Sequence, residues 1–379
     1  MIIGIDGNEA NVNERTGVHQ YSNELLWALY NLLNSKKRKQ EVVIYLKNDP
    51  LPFLPKEKSW WRYKVIGGKG VWVITKLMPY LWIHPEPDVF FTPSHYLPPL
   101  MRMPKVCAIH DLGYLEFSGQ FRKYDFWQLK YWTAISLIVS NCIITFSKSN
   151  IKDIVRHYKF ASKKLKVVYH GYDKKRFNTK ISDDDVRRVK KKFGLVDDYL
   201  LFLSTLKPSK NIEGLLGAFY LLKTKNRDLK TKLVIAGKKG WMYDSIYKKV
   251  KELSISNDVV FTDFVKEKDK PALMKGAKAF LSPSFWEGFG MHVVEAMACG
   301  TPAVISNVAS LPEVGGKAAI YIDPYDNKSL FEGIRKVITL DKKEYNSLVR
   351  LSCEQAGKFS WEKTAKETLT VLERAGKNV

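Results

Sequence analysis

Short apolar runs of strand length alternate with amphipathic stretches of helical period through almost the whole chain, in two separate series. In residues 1–175 the strand-like runs are MIIGID, EVVIYL, DVFFTP, KVCAIHD, CIITFS and KVVYHG. Helical stretches lie among them, the first following the loop GNEANVNERTGVHQ and running to about Leu33. The second series opens near Tyr199 with YLLFLST and continues through KLVIAG, DVVFTD, AKAFLSPS, PAVISN and AAIYID. Alternation of this kind predicts an α/β fold with mostly parallel sheets covered by helices. The two series are separated at 174–198, a charged segment that reads as one helix without a strand. Two doubly wound domains are therefore expected, 1–175 and 176–359, with the terminal FSWEKTAKETLTVLERAG a further helix. A chain of 379 residues, 45% hydrophobic, is long enough to bury a core in each. Ligands of such sheets bind at the carboxyl ends of strands, which directs attention to the polar residues there.

The densest group of such residues lies at 285–302, FWEGFGMHVVEAMACGTP. It follows the run AKAFLSPS and begins as a loop, with Gly288 and Gly290 on either side of Phe289. From Met291 it becomes amphipathic, with Val293, Val294, Met297 and Ala298 at helical spacing, and it stops at Gly300 before Pro302. Glycines let a backbone approach a ligand closely, and a helix start offers unpaired N–H groups to its oxygens. Glu287 on the loop and Glu295 in the helix are eight residues apart. By spacing alone, Glu287 is as well explained as a helix cap, and Glu295 as a solvated surface residue, as either is by ligand binding.

Other strand ends carry weaker signals. The stretch 15–21, RTGVHQY, opens a helix after the first strand, and Gly17 there permits approach to a phosphate or simply makes a turn. His110 and Asp111 end KVCAIHD, where a histidine can cap the chain as readily as meet a substrate. In STLKPSKN, at 204–211, Lys210 at a helix start is placed for a diphosphate, or is a surface lysine. The acidic run 183–185 follows Ser182 at the start of a helical stretch, where carboxylates are favoured in any case, so it is not read as a metal site. Metal-ligand spacing of His or Cys is absent from the sequence.

The net charge is +23, with 26 basic against 14 acidic residues in 1–175, an excess of 12. The excess is thus spread over the chain and is not a basic tail. It suits an anionic membrane face or phosphorylated substrates better than nucleic acid, for which no zinc-finger spacing, RNP-like motif or extended basic helix is found. Trp60 and Trp61, beside Lys58, Arg62 and Lys64, are expected to be exposed at a membrane interface or a sugar-stacking platform; Phe90 and Phe91 are expected in the core. Cys107, Cys142, Cys299 and Cys353 form no C-x-x-C pair and read as buried free thiols of a reducing compartment. Met1 opens directly into a strand pattern, which argues against a signal peptide. No uncharged run approaches the ~20 residues of a membrane span.

The 285–302 string strongly resembles the E-x7-E motif of retaining glycosyltransferases of family 4, and LPEVGGKAAIYIDPYD at 311–326 is similar to that family as well. The two-series organisation resembles GT-B, with two Rossmann-like domains, the active site in the cleft between them and the terminal helix (360–379) packed back on the first. The resemblance implies that Glu287 meets the donor sugar and Glu295 the nucleotide ribose. Gly288, Phe289, Gly290 and Met291 would line the donor, and Gly17 would approach it from the first domain. It places His110 near the donor sugar, and His19, His95, Tyr96 and Asp111 on the acceptor side. Lys210 carries over to the diphosphate, and Gly237 and Lys238 lie where the nucleotide passes; Phe264 and Val265 fall at its base. Ser209 stands where the family commonly has arginine, so Lys207 is the candidate for a second cation. His19 and Gln20 replace the usual second glycine and arginine.

The similarity is to the mannosyltransferase-like branch that builds bacterial surface polysaccharides. It implies transfer of a hexose, mannose favoured, from a nucleotide diphosphate sugar to a hydroxyl of a glycan or lipid-linked acceptor, with anomeric retention and without a cofactor or bound metal. GDP-mannose is the favoured donor, with UDP-hexose or dTDP-rhamnose behind it. A cytoplasmic protein, peripheral on the inner face of the membrane, is expected. A sugar-nucleotide epimerase of the same architecture and, outside enzymes, a nucleic-acid-binding protein are the competing readings.

Overall fold

Each of the twelve apolar runs contains or overlaps a strand in the computed structural model, which describes all residues except 16, 36–38, 118, 120–121, 197 and 378–379. The chain divides into two units, Met1–Gly171 with Trp361–Val379, and Tyr172–Ser360.

The first unit holds β1 (Ile2–Asp6), β2 (Glu41–Leu46), β3 (Trp61–Val65), β4 (Val89–Thr92), β5 (Lys105–Ile109), β6 (Cys142–Thr145) and β7 (Leu165–Val167). They form one parallel sheet in the order β3-β2-β1-β4-β5-β6-β7. The central strands are buried along nearly their whole length, as both-face cover by helices requires, and Phe90 and Phe91 lie fully in the core. The helix Trp361–Lys377 belongs to this unit. It packs on the helix Gly17–Ser35 and on β4, β5 and β6, and its Thr364 hydroxyl donates to the Tyr169 carbonyl at 2.7 Å.

β3 corrects the expectation of an exposed aromatic patch. WRYKV is an edge strand pairing with β2, buried at its first residue and open at its last two. Trp61 is fully buried against Tyr30, Trp60 is half-buried beside both, and Lys64 and Val65 face out.

The second unit holds β8 (Tyr199–Leu203), β9 (Lys232–Ala236), β10 (Val259–Asp263), β11 (Ala279–Ser282), β12 (Ala303–Ser306) and β13 (Ala319–Ile322), parallel in the order β10-β9-β8-β11-β12-β13. Leu200, Phe202, Leu233, Ile235 and Leu281 fill its core with the helices Ile212–Lys225 and Asn327–Thr339. The acidic run 183–185 is the first turn of the helix Asp183–Lys192, with Ser182 accepting from the Asp185 N–H at 3.1 Å and lysines in the last turn. The four cysteines are free, and Cys142 and Cys353 are only half-buried, short of the burial expected for them. Among the described residues, no helix is long and apolar enough to cross a membrane.

Candidate active site

The strand order of the second sheet reverses direction between β8 and β11, and a doubly wound sheet leaves a crevice for ligands at such a point. The loops leaving those two strands carry Lys210 and Glu287, and they bring the ammonium and the carboxylate to 2.6 Å. Both side chains are largely buried, 9% and 18% exposed, so Lys210 is not a surface lysine; Glu287 is not a helix cap either, because the helix Met291–Ala298 starts at Gly290 without a side-chain capping bond. The Ser284 hydroxyl donates to the same Glu287 oxygen at 2.8 Å. Burial alone would raise the Glu287 carboxyl; the charge and hydrogen bond of Lys210, the Ser284 hydroxyl and the charge of Lys207 together hold it below its ordinary value. It is an ionised acceptor, suited to hydroxyl groups.

Several contacts fix this geometry. The Phe285 N–H donates to the Ser209 carbonyl at 3.0 Å, tying one loop to the other. Asn211, at φ +52°, turns the chain into the helix Ile212–Lys225 and donates from Nδ2 to the Pro324 carbonyl at 2.7 Å. The buried Ser310 hydroxyl bridges the carbonyls of Glu287 and Phe289 at 2.8 and 3.0 Å. Gly290, at φ +98°, starts the helix Met291–Ala298, and a Cβ there would meet Leu311 at 2.9 Å.

Glu295 is buried in that helix, contrary to a solvated surface role, and its Oε2 lies 2.7 Å from His292 Nδ1. A carboxylate only accepts, so Nδ1 carries the proton, and the imidazole fixes one of the carboxylate oxygens. Phe289 is buried against Phe359 and Val265 is buried, so both can meet a ligand only through their backbone. Gly288 and Met291 are partly open.

Beside this pair, the ends of β8 and β9 are laced together. The Leu206 N–H donates to the Lys238 carbonyl at 2.9 Å and the Gly240 N–H to the Leu206 carbonyl at 3.0 Å. Gly237 sits at φ +140°, where a Cβ would lie 1.8 Å from the Ser204 carbonyl oxygen, so the close approach requires glycine. Lys207 lies 5.0 Å over the Trp241 ring and Lys238 4.9 Å over the exposed ring of Phe264. Ser209 is buried at the turn Pro208–Lys210.

In the first sheet the order reverses between β1 and β4; the first-domain candidates lie on the loops after β4 and β5 and in the first turn of the helix Gly17–Ser35 that follows β1. Gly17 starts its helix with open space where a Cβ would stand. His19 Nε2 lies 3.2 Å from Glu9, and burial holds this imidazole below its usual range. His110 Nε2 is 2.9 Å from the Pro93 carbonyl, which makes it the protonated nitrogen. Its ring packs on Tyr21, Phe146 and His170, and burial keeps it neutral down to about 4 against the opposing pull of Pro93 and Asp111. His95 is likewise lowered to about 4 by burial and by His110, and its ring packs at 4.1 Å, tilted, against Tyr96. Asp111 is exposed and caps the next turn, accepting from the Gly113 N–H at 2.8 Å.

Sequence reasoning passed over Asp6, at the end of β1. Burial lifts its carboxyl to about 6, although the backbone and side chain of Asn8 donate to it at 3.0 and 2.7 Å. It also passed over Ser284, Ser310 and His292, of which only His292 has a readable signal, the i,i+3 spacing to Glu295. Among the described residues, no group of three or more His, Cys, Asp or Glu side chains could hold a metal ion.

A profile of the family Glycosyl transferases group 1 matches residues 183–350, within the second unit. The O-antigen chain mannosyltransferase B of Escherichia coli is 30% identical over 291 residues, 74% of this chain and 73% of that protein. The chain belongs to the group 1 glycosyltransferases. A second relative, the serotype-specific mannosyltransferase WbdA of Escherichia coli, is 29% identical over 266 residues, 69% of this chain but 32% of that longer protein. The structure of HepE from Anabaena, solved with UDP and glucose, superimposes with a TM-score of 0.72 at 18% identity over 98% of this chain and 99% of that one. The glycosyltransferase therefore has the GT-B fold, with two Rossmann-like domains of seven and six parallel strands.

Proposed function

We propose that the protein is a retaining, metal-independent hexosyltransferase of family 4 that moves mannose from GDP-mannose to a glycan or lipid-linked hydroxyl in the synthesis of a cell-surface polysaccharide. The observation that carries this reading is the pairing of Lys210 with Glu287 at the switch point of the second sheet. In a nucleotide sugar the hexose is bonded directly to the diphosphate, so a cation for one and a carboxylate for the other must stand side by side. The names of the E. coli relatives, both mannosyltransferases, favour mannose.

In this reading Glu287 accepts hydrogen bonds from sugar hydroxyls, and Lys210, with Lys207 behind it, meets the diphosphate. Glu295, held by His292, takes the ribose, and the exposed Phe264 ring with its lysine takes the base. Lysine charge and helix N–H groups offset the charge that develops on the departing diphosphate. The C1–O(phosphate) bond breaks as the bond from C1 to the acceptor oxygen forms on the same face, and the acceptor proton passes to the leaving phosphate. His19, His95, Tyr96, His110 and Asp111 at the first sheet's switch point serve recognition of hydroxyls, with His110 neutral and able to accept at Nδ1. Nothing in this chemistry needs a cofactor.

Thermal-shift titration with GDP, UDP and dTDP tests the donor, because only a ligand of the native state raises the melting point. Stabilisation by GDP alone, followed by mannosyl transfer in excess chelator, is expected. Stabilisation by UDP alone would replace mannose with another hexose. Conversion of donor without acceptor would make the protein an epimerase, and loss of transfer on chelation with recovery on manganese would overturn metal independence.

A further inference from the structure

The helix Lys123–Val139 in the first unit is apolar on its outer side as well as on its inner one. Its outward residues are Tyr124 (76% exposed), Trp127 (46%), Tyr131 (60%), Ile135 (38%) and Ile138 (59%). At 3.6 residues per turn these five fall within about 80° of arc, a continuous apolar stripe along the whole helix. Its inner side sets Leu137, Phe126 and Leu129 on the core, with Thr133 and Ser136 buried among them. The stripe is organised: the rings of Trp127 and Tyr131 stack at 5.5 Å and 23°, forming one flat platform, and Lys130 rests its ammonium 4.9 Å over Trp127. At the far end Lys164 donates to the Ile138 carbonyl at 2.8 Å, from the turn Lys159–Lys164, where Phe160 is again exposed. Residues 122–139 and 159–164 carry six cations, Arg122, Lys123, Lys130, Lys159, Lys163 and Lys164, against the single carboxylate of Asp125.

We propose that this face docks the protein on an anionic phospholipid surface. Aromatic rings and isoleucines on one stripe, with lysines on its flanks, match the headgroup boundary of a bilayer, where the rings sit at the interface and the cations meet lipid phosphate. The charge complementarity favours this occupant over a second copy of the same basic chain. The inner face of the helix adds a purpose. Ser136 Oγ donates to the His95 carbonyl at 2.5 Å and accepts from the Leu97 N–H at 3.3 Å, and Trp132 packs edge-on against Tyr96 at 5.6 Å. The loop that carries His95 and Tyr96 thus hangs from the helix that rests on lipid. This second step rests on the acceptor-side reading given above, and identifies the acceptor as lipid-linked.

Flotation of the full chain with phosphatidylcholine vesicles, with and without phosphatidylglycerol, tests the docking. The protein is expected to float with the anionic vesicles only, less so as salt rises. The triple variant Trp127→Ser/Tyr131→Ser/Ile138→Ser should bind those vesicles about tenfold or more weakly, with an unchanged melting temperature and unchanged nucleotide binding, while Trp82→Ser elsewhere in the unit binds as the parent does. Failure of the parent to bind anionic vesicles, or equal binding by the triple variant, overturns the proposal. So does a parent that self-associates in solution and becomes monomeric on the triple substitution without any vesicle binding. None of these outcomes touches the donor reading, which nucleotide binding reports separately.

Discussion

Removing Lys210 tests the core of the site, because its effects on stability and on catalysis separate. In Lys210→Ala the largely buried Glu287 carboxylate loses its ion-pair partner at 2.6 Å and retains only the Ser284 hydroxyl and the charge of Lys207. Breaking a buried pair by removing one partner costs about 3–5 kcal/mol, which at about 2–4 °C per kcal/mol for a domain of this size lowers Tm by roughly 6–20 °C. The loss should depend on pH. In the parent, Glu287 is held below its ordinary value, so its contribution is present above the unfolded carboxylate range and disappears as pH falls through the folded value. In the variant burial dominates and the carboxyl rises, so the penalty is greatest at neutral pH and shrinks as acid protonates it. Adding Glu287→Gln should recover part of the stability without any recovery of transfer, which falls about 10²–10³-fold with the loss of the cation. Calorimetry across pH and initial-rate kinetics make the comparison. A Tm loss equal at neutral and acid pH, with no recovery in the double variant, would refute the coupling of the pair.

Gly237→Ala should destabilise by about 2–4 kcal/mol, from positive φ and a Cβ driven onto the Ser204 carbonyl, read by urea denaturation; parent-like stability would refute the close approach. Glu295→Ala should weaken nucleoside diphosphate binding in calorimetric titration without unfolding the chain, and His292→Ala should weaken it less; unchanged affinity in Glu295→Ala removes the ribose role. Lys207→Ala should lower kcat by less than Lys210→Ala does, because Lys207 rests on Trp241 and acts on the pair only by its charge. Transfer at the parent rate would make Lys207 a surface charge and leave Lys238 the next cation to test.

The strands of both sheets were legible because a parallel sheet covered on both faces makes continuous apolar runs, and β8, YLLFL, is buried at every position. β3 makes no such run: it is an edge strand paired on one side only, and WRYKV passes from buried Trp61 through half-buried Arg62 and Tyr63 to exposed Lys64 and Val65. The stripe on Lys123–Val139 was illegible because apolar residues surround that helix, and helical period alone does not say which side meets solvent. Glu287 and Lys210 were found as separate motifs, but their contact follows from topology, since only the strand order places β8 beside β11. Ser310 had no local signal, since it reaches the Glu287 and Phe289 carbonyls from another loop.

The most direct measurement is the anomeric configuration of the product formed from GDP-mannose and a hydroxyl acceptor, read by NMR together with released GDP. The account predicts one GDP per glycosidic bond and an α-linked mannoside, the configuration of the donor, with the rate of both about 10²–10³-fold lower in Lys210→Ala. A β-linked product, or transfer that survives the loss of both Lys210 and Glu287, would contradict it.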